Sequence, residues 1–282
     1  LIVAEARNND YDFLYARRNN FAVGIDELDL GSSSKNDYDN GGSSSVGAQM
    51  GYVYRVGWTY ANKYIAEASG RYDGHYYFAP GKRWGYFPAF SIGWRISEES
   101  FMQGLQWLDN LKLRASWGKS GNLAGNPYQY LSGYTLAGNG YAFGSGTMVQ
   151  EAYVTTENNP VITWEISQKS DLGFEASLWE SLLLIEADLF YEKRSGMLLS
   201  PSITVPYEYG LNLAQENAGK MDNYGFELQL CTRRSLQSGL NFNVMGNISI
   251  ARNKMVETFE TAATYDNPNR RRTGRPYGTV FG

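Results

Sequence analysis

The sequence predicts an all-β protein whose strands form part of a large antiparallel barrel that crosses a membrane. Three observations support this prediction. Long segments alternate between apolar and polar residues, short and long connections alternate along the chain, and the polar faces are rich in Asn, Ser, Gly, Gln and Thr. Because successive side chains of a strand point to opposite faces, such alternation produces one oily and one polar face.

Nine segments show this alternation. They span residues 1–6, 47–60, 64–73, 86–97, 110–119, 162–178, 182–195, 219–233 and 239–254. Most reach the roughly 9–11 residues that a tilted strand needs to cross a bilayer. In the segment 182–195, for example, Leu183, Ile185, Ala187, Leu189 and Tyr191 share one face.

The connections differ in length in a regular way. The long ones are 7–46, 74–85, 120–161 and 196–218, and the short ones are 61–63, 98–109, 179–181 and 234–238. Outer-membrane barrels have this pattern, since their short turns face the periplasm and their long loops face the exterior. The longest of the short connections, with the sequence EESFMQGLQWLDN, is expected to contain one helical turn. Aromatic residues beside the turn 61–63, including Trp58, Tyr60 and Tyr64, suit the aromatic girdle of such a barrel.

One alternative stays open at this point. An antiparallel sheet in a soluble protein also alternates when one of its faces is solvated, and each strand taken singly fits that description. The soluble reading corresponds to a secreted β-sandwich that binds carbohydrate. The polar faces argue against it, because a soluble sheet usually carries more Lys and Glu there, whereas Asn, Ser and Gln suit a wet barrel lumen.

Composition excludes several classes of function. The chain has 282 residues and a net charge of −4, which does not indicate nucleic-acid binding. With one Cys and one His, it has no intrachain disulfide and no His/Cys cluster for zinc. P-loop, GxGxxG and HExxH motifs are missing from the sequence, so we expect no cofactor, no metal and no enzymatic activity. The chain starts without Met and stops in mid-pattern, and we interpret it as part of a longer protein.

Three stretches carry a specific resemblance. They read RYDGHYYFAPGKRWGYFPAFSIGWRISEESF at 71–101, LKLRASWGKSGN at 111–122, and NPVITWEISQKSDLGFEASLW at 159–179. Their order and spacing resemble the SusC/RagA group of TonB-dependent outer-membrane transporters of Bacteroidota. The resemblance implies a barrel of about 22 strands. Residues 1–282 would then be a partial barrel domain of roughly nine strands, with the plug domain and the remaining strands outside this sequence.

The resemblance also implies a function and a set of partners. It implies import of a glycan, an oligosaccharide or a peptide into the periplasm, driven by TonB through an N-terminal region. It implies a SusD-like surface lipoprotein as partner and an outer-membrane location among lipid and lipopolysaccharide. An outer-membrane barrel enzyme is the remaining alternative.

The motif residues are expected to be structural. These are Arg71, Asp73, Gly74, Pro80, Gly81, Arg83, Trp84, Gly93, Trp94, Arg95, Trp164 and Glu165. Pro80 and Gly81 form a turn signal. We expect Trp164 to anchor the aromatic girdle. Lys82 and Arg83 could pair with acidic loop residues or with lipopolysaccharide. The basic loop 267–278 could contact lipopolysaccharide phosphates or a partner protein.

Substrate contact is expected from the long loops, because binding residues concentrate on loops held by a rigid scaffold. The candidates are Tyr128, Tyr130, Tyr141, Phe143, Tyr207 and Tyr209. Tyr134 and Tyr153 lie in the same long loop as the first four. Aromatic faces stack on sugar rings, and Asn or Asp side chains hydrogen-bond to hydroxyl groups. Packing of the loops against one another is the alternative role of these rings.

Charged residues on the polar strand faces are expected to line the lumen. They are Arg55, Lys112, Arg114, Glu186, Asp188 and Glu192. Carboxylates two residues apart lie about 6.6 Å from each other along a strand, a separation within the roughly 5–9.5 Å of glycosidase carboxyl pairs. Since any polar strand face produces this spacing, we favour ion pairs that line a polar channel or hold a plug.

Overall fold

The computed structural model describes residues 1–25, 27–138, 140–144, 146–203, 205–236 and 239–281, without the side chains of residues 143 and 147. Its strands, in chain order, are β1 Ile2–Arg18, β2 Tyr38–Tyr60, β3 Tyr64–His75, β4 Trp84–Arg95, β5 Leu108–Asn122, β6 Thr135–Ala137, β7 Ala142–Phe143, β8 Thr147–Met148, β9 Glu151–Tyr153, β10 Glu165–Leu178, β11 Leu183–Leu199, β12 Glu216–Ser235 and β13 Asn241–Glu257. Short 3-10 helices occupy Leu28–Leu30, Ile96–Glu98 and Tyr207–Tyr209, and one α-helix, α1, covers Ala262–Tyr265.

The nine long strands form one sheet in the order β1-β2-β3-β4-β5-β10-β11-β12-β13. Every pair from β3 to β13 is antiparallel. The all-β fold class predicted from the alternation is therefore confirmed. Among the residues that the structure describes, no helix is both long enough and apolar enough to cross a membrane.

The expected long loop at 7–46 is wrong, because β1 continues to Arg18 and β2 starts at Tyr38. Residues Glu5–Met50 form a compact unit of their own. Within it almost every side chain is exposed, and contacts such as the 3.0 Å hydrogen bond from Tyr15 to Asp39 join the strands. A ladder of backbone hydrogen bonds needs no apolar face, so hydrophobic alternation does not reveal strands of this kind.

Two connections also differ from expectation. The loop 120–161 contains two small ladders, in which β6 pairs with β9 and β7 with β8. In the connection after β4, a helical turn was expected within the stretch EESFMQGLQWLDN. The structure instead has a 3-10 helix at Ile96–Glu98, which comes before most of that stretch. Consecutive tight turns then follow, with hydrogen bonds such as Met102 N to Glu99 O at 3.0 Å.

The strand register divides the sheet into two chemically different faces. One face carries apolar rungs of directly paired residues, and we call it the outer face. Two of its rungs are Leu113-Phe174-Ala187-Leu228-Ile248 and Ala115-Leu172-Leu189-Phe226-Ile250. The opposite, inner face carries the charged residues, for example the neighbours Arg114, Gly173, Asp188, Glu227 and Ser249.

Exposure on the two faces is the reverse of that in a soluble sheet. On the outer face Leu172 and Leu189 are both 56% exposed, whereas Glu192 on the inner face is 5% exposed. From Leu183 to Tyr191 the apolar side of β11 covers roughly 26 Å of strand. With a tilt of about 35–45° this corresponds to roughly 20 Å across a membrane, near the band of about 25 Å in outer-membrane barrels. The oily faces therefore point away from the protein.

Candidate functional site

The long-loop end of the sheet contains a small apolar core. Phe78, Phe87, Ile162 and Trp164 are all buried there and pack together. The Trp164 ring lies 5.3 Å from the Phe78 ring and 5.2 Å from the Phe87 ring, measured between centroids. Its Nε1 donates to the carbonyl oxygen of Arg83 at 2.9 Å. The core thus joins the loop after β3 to the start of β10.

The expected girdle position of Trp164 is wrong. Its side chain is 8% exposed, because it lies immediately before β10 and turns into this core. The motif partner Arg83 holds the same loop, since its Nε donates to the carbonyl oxygen of Phe78 at 2.9 Å. The two motifs that are about 80 residues apart in sequence meet in space through these contacts.

A cavity of about 470 Å³ lies beside this core, between the loop 123–164 and the loop 200–215. Its lining is mostly polar and includes the side-chain amides of Gln129, Gln215 and Asn159. Gln129 donates from Nε2 to Gln215 Oε1 at 3.1 Å, and Asn159 donates from Nδ2 to the carbonyl oxygen of Gln215 at 2.6 Å. The side-chain oxygens of Gln129 and Asn159 also accept hydrogen bonds from the N–H groups of Asn126 and Val161, so these amides are fixed in the cavity wall.

A second cavity of about 710 Å³ adjoins the first. The two share Glu157, Asn159, Leu213 and Ala214 in their linings. The Glu157 carboxylate accepts a hydrogen bond from the Tyr209 hydroxyl, and its backbone N–H donates to Asn212 at 2.9 Å. Both cavities therefore depend on contacts between two loops that are far apart in sequence, and we call the pair the loop cavities.

The candidate tyrosines occupy different surroundings. The Tyr128 ring lies 5.4 Å from Tyr76 and 6.2 Å from Tyr130, so these rings pack with one another. Tyr141 and Tyr207 are 69% and 97% exposed. The side chain of Phe143 lies outside the described residues.

None of the five candidate tyrosines belongs to the described lining of the loop cavities, although Tyr209 contacts Glu157 there. Tyr134, which is 72% exposed, does line the smaller cavity. The sequence analysis missed Gln129, Glu157 and Gln215. No motif marks them, whereas Asn159 opens the recognised NPVITWE stretch.

The charged residues of the inner face form an ion-pair network around Arg114. Its Nη2 donates to Glu186 at 2.8 Å and to Asp188 at 2.7 Å. Its Nε lies 3.4 Å from Glu175, which also accepts from Lys112 at 3.2 Å. The two carboxylates whose spacing suited a glycosidase pair thus bind one guanidinium group.

Glycine makes this network possible. Gly173 lies in register between Arg114 on one side and Asp188 on the other. A Cβ atom at residue 173 would lie 2.2 Å from Asp188 Oδ1 and 2.8 Å from Arg114 Nε. The guanidinium therefore crosses β10 over a position where an added side-chain atom would displace Asp188 and Arg114.

Two further inner-face groups are paired. Glu192 accepts hydrogen bonds from Ser167 at 2.6 Å, from Arg194 at 2.8 Å and from Asn223 at 3.3 Å. Arg55 donates to Glu67 at 2.7 Å. In the described part of the chain, no group of three or more His, Cys, Asp and Glu residues has the arrangement of a metal site.

The remaining motif residues make local contacts. Arg71 donates twice to Asp73 at 2.9 Å, and the rings of Trp84 and Tyr72 stack at 4.7 Å. Gly74 leaves room for the Trp84 ring, and Gly93 faces Lys112. Gly81, with φ of 86°, follows Pro80 in the turn between β3 and β4. Arg95 donates to the carbonyl oxygen of Asn62 at 3.3 Å, and Glu165 accepts from the Leu198 N–H at 2.8 Å.

At the short-turn end, Glu99 collects three hydrogen bonds. The donors are the Tyr64 hydroxyl at 2.6 Å, Lys63 Nζ at 3.0 Å and Trp94 Nε1 at 3.1 Å. These bonds stabilise the carboxylate and lower the pKa of Glu99 to about 2. The turn 61–63 and the connection after β4 are joined by this one side chain.

The sequence model of a family described as TonB dependent receptor-like, beta-barrel matches residues 4–280. The chain belongs to this family. Family membership explains the exposed apolar face and assigns the protein to the outer membrane, with short turns on the periplasmic side and long loops on the extracellular side. The soluble sandwich considered from the sequence is therefore wrong.

Individual relatives agree with this assignment. The TonB-dependent receptor P26 of Formosa agariphila is 30% identical over 244 residues, which are 84% of this chain and 23% of that protein. The TonB-dependent receptor SusC of Bacteroides thetaiotaomicron is 27% identical over 216 residues, 74% of this chain and 21% of that protein. The chain thus spans about one fifth of the length of the curated relatives that it matches.

A solved structure has the same fold. The RagAB peptide importer in its closed-closed state superimposes with a TM-score of 0.80 at 21% identity, covering 95% of this chain and 29% of the matched chain. This similarity concerns the fold. It supports a continuous barrel wall for the sheet and long loops at one end.

Proposed function

We propose that this chain forms part of the wall and the extracellular mouth of a TonB-dependent importer for an oligosaccharide. The observation that carries the proposal is the family match, which runs through residues 4–280. In this proposal residues 1–282 are one portion of the barrel domain, and a plug and the TonB-contacting segment lie elsewhere in the full-length protein. The protein acts as a transporter and not as an enzyme.

The inner face supports this role because its charges are largely paired within the sheet. Arg114 and Lys112 pair with the carboxylates of Glu175, Glu186 and Asp188, and Arg55 pairs with Glu67. A lumen lined in this way presents charged and polar groups to water and to a passing solute. It suits a hydrophilic substrate better than an apolar one.

The loop cavities support an oligosaccharide as that substrate. The smaller cavity has a mostly polar lining that includes the amides of Gln129, Asn159 and Gln215 and suits hydroxyl groups, and the exposed Tyr134 ring provides a flat apolar surface for a sugar ring. A peptide is the second candidate, because the same amides also pair with peptide groups. The RagAB system is a peptide importer, and its likeness to this chain extends to the fold.

A SusD-like surface lipoprotein is the proposed partner. Its support is the resemblance of the motifs around FAPGKRWGYFP and NPVITWE to the SusC/RagA group. The loop cavities lie at the extracellular end, where a capping lipoprotein would deliver substrate. Tyr207, which is 97% exposed, would then contact the partner or the substrate.

Uptake by cells that carry the full-length gene tests this function. Labelled oligosaccharides and labelled peptides are supplied separately, with and without a functional TonB. We expect TonB-dependent uptake of an oligosaccharide. TonB-dependent uptake of peptides alone would establish the second candidate, and TonB-independent accumulation of both would contradict the importer.

A matched pair of variants tests the cavity. Tyr134→Ala is expected to lower substrate affinity about tenfold, the effect of losing one aromatic stacking contact of roughly 1–1.5 kcal/mol. Tyr277→Ala is the control, since Tyr277 is similarly exposed at 70% and lines neither cavity. Equal affinity in both variants would place the substrate elsewhere.

A further inference from the structure

One rung of the outer face interrupts its apolar character near the extracellular end. Its paired residues are Lys119, Gln168, Lys193, Asp222 and Lys254. The strand register places all five on the same level of neighbouring strands. We call this level the lysine rung.

An aromatic rung lies directly below it. Its paired residues are Trp117, Ser170, Tyr191, Tyr224 and Arg252. Lys119 Nζ lies 5.9 Å from the centre of the Trp117 ring, and Lys193 Nζ lies 5.6 Å from the centre of the Tyr191 ring. The ring contacts direct these two ammonium groups along the outer surface of the sheet.

The one carboxylate of the lysine rung, that of Asp222, accepts a hydrogen bond from the aromatic rung. Tyr191 donates its hydroxyl to Asp222 at 2.9 Å, which binds the acid to the aromatic rung. Three lysines and one acid therefore give this level a net positive charge. Below the aromatic rung the outer face is apolar, beginning with the rung that contains Leu172, Leu189 and Ile250.

We propose that the lysine rung binds the phosphate group of lipid A in the outer leaflet. The order of the rungs matches the order of groups in that glycolipid. Acyl chains lie against the apolar rungs, the sugar ring lies at the level of Trp117 and Tyr191, and the phosphate lies at the level of the ammonium groups.

The spacing of the lysines suits this ligand. Lys119 and Lys193 lie two strands apart, as do Lys193 and Lys254, so their backbones are separated by about 10 Å. The flexible stems of Lys119 and Lys193, each about 6 Å long, reach a phosphate above Gln168 on the strand between them, and ammonium groups pair with phosphate as point charges. The proposal depends on the outer-membrane location and is independent of the transported substrate.

A titration of purified full-length protein in detergent with lipid A, followed by native mass spectrometry, tests the proposal. Lys193→Gln is expected to weaken lipid A binding about fivefold, the effect of one lysine near an anionic surface. The triple variant Lys119→Gln, Lys193→Gln and Lys254→Gln is expected to weaken it about a hundredfold.

Lys169→Gln is the matched control. Lys169 lies on β10 beside Gln168 but on the inner face, where it pairs in register with Glu192. This variant should bind lipid A as tightly as the unchanged protein. An equal loss in Lys169→Gln and Lys193→Gln, or unchanged binding by the triple variant, would overturn the proposal.

A second measurement needs no variant and covers the case in which the triple variant does not fold. The unchanged protein is titrated with dephosphorylated lipid A. We expect binding to be weakened by about as much as in the triple variant. Equal affinity for both forms of the lipid would show that acyl chains alone bind, and would overturn the role of the lysine rung.

Discussion

The two faces of the sheet between β5 and β13 differ in exposure and in bonding. The outer face presents separate apolar side chains, such as Leu172 and Ile248, each more than half exposed. The inner face joins side chains from three strands through one guanidinium, with Arg114 of β5 reaching Glu186 and Asp188 of β11 across β10.

The difference has consequences for stability. Side chains of the outer face act independently, because each contacts lipid and its rung neighbours. Side chains of the inner face act as a group, because removing one partner leaves several charges without compensation. The effects of substitutions on stability should therefore differ between the two faces, both in magnitude and in whether they add.

The largest effect is expected for Arg114→Leu. This variant leaves Glu175, Glu186 and Asp188 without their shared cation, and breaking such a partly buried network costs about 3–5 kcal/mol. The midpoint of urea unfolding of the full-length protein in lipid vesicles measures it. A second substitution, Asp188→Asn, should restore part of the loss. A loss in the double variant equal to the sum of the two single losses would contradict the network.

Leu189→Arg tests the outer face. The change puts a charge among the apolar rungs, where a cationic side chain near the bilayer midplane costs about 2–4 kcal/mol. Leu189→Met, which keeps the volume and the apolarity, is the control and should change stability by less than about 1.5 kcal/mol. If unfolding in vesicles shows equal stability for both variants, this face does not contact lipid.

Gly173→Ala tests whether the Arg114 side chain crosses β10 over residue 173. The added methyl group would meet Asp188 and Arg114, and overpacking of this kind costs about 1–3 kcal/mol. Gly246→Ala is a suitable control, since Gly246 lies on the outer face with nothing within 4 Å of the added atom. Equal unfolding midpoints for the two variants would contradict the steric role of residue 173.

The smallest effect is expected at the periplasmic turns. Because the pKa of Glu99 is lowered to about 2, its hydrogen bonds contribute stability above the ordinary value near 4.5 and lose it as the pH falls towards 2. Glu99→Gln should therefore lower the melting temperature slightly at pH 7 and should flatten its dependence on pH between about 5 and 2. An unchanged acid profile would contradict the role assigned to Glu99.

Hydrophobic alternation predicted the ends of the long strands from β3 onward to within a few residues. It did so because the apolar face of these strands contacts lipid and the polar face contacts water. It did not predict the extension of β1 and β2 through Glu5–Met50, where both faces are exposed. It also did not predict the small ladders inside the loop 120–161, whose strands are two or three residues long and too short to show a period.

The sequence by itself determined the all-β class, the two faces of the long strands from β3 onward and, through its motifs, the family. These features depend on residue order within single strands and turns. Only the tertiary structure decided that Trp164 is buried, that Arg114 binds acids two strands away, and that Gln129 and Gln215 meet at a cavity. Strand register and loop packing bring these residues together, and both are set by hydrogen bonds between segments that are far apart in the chain.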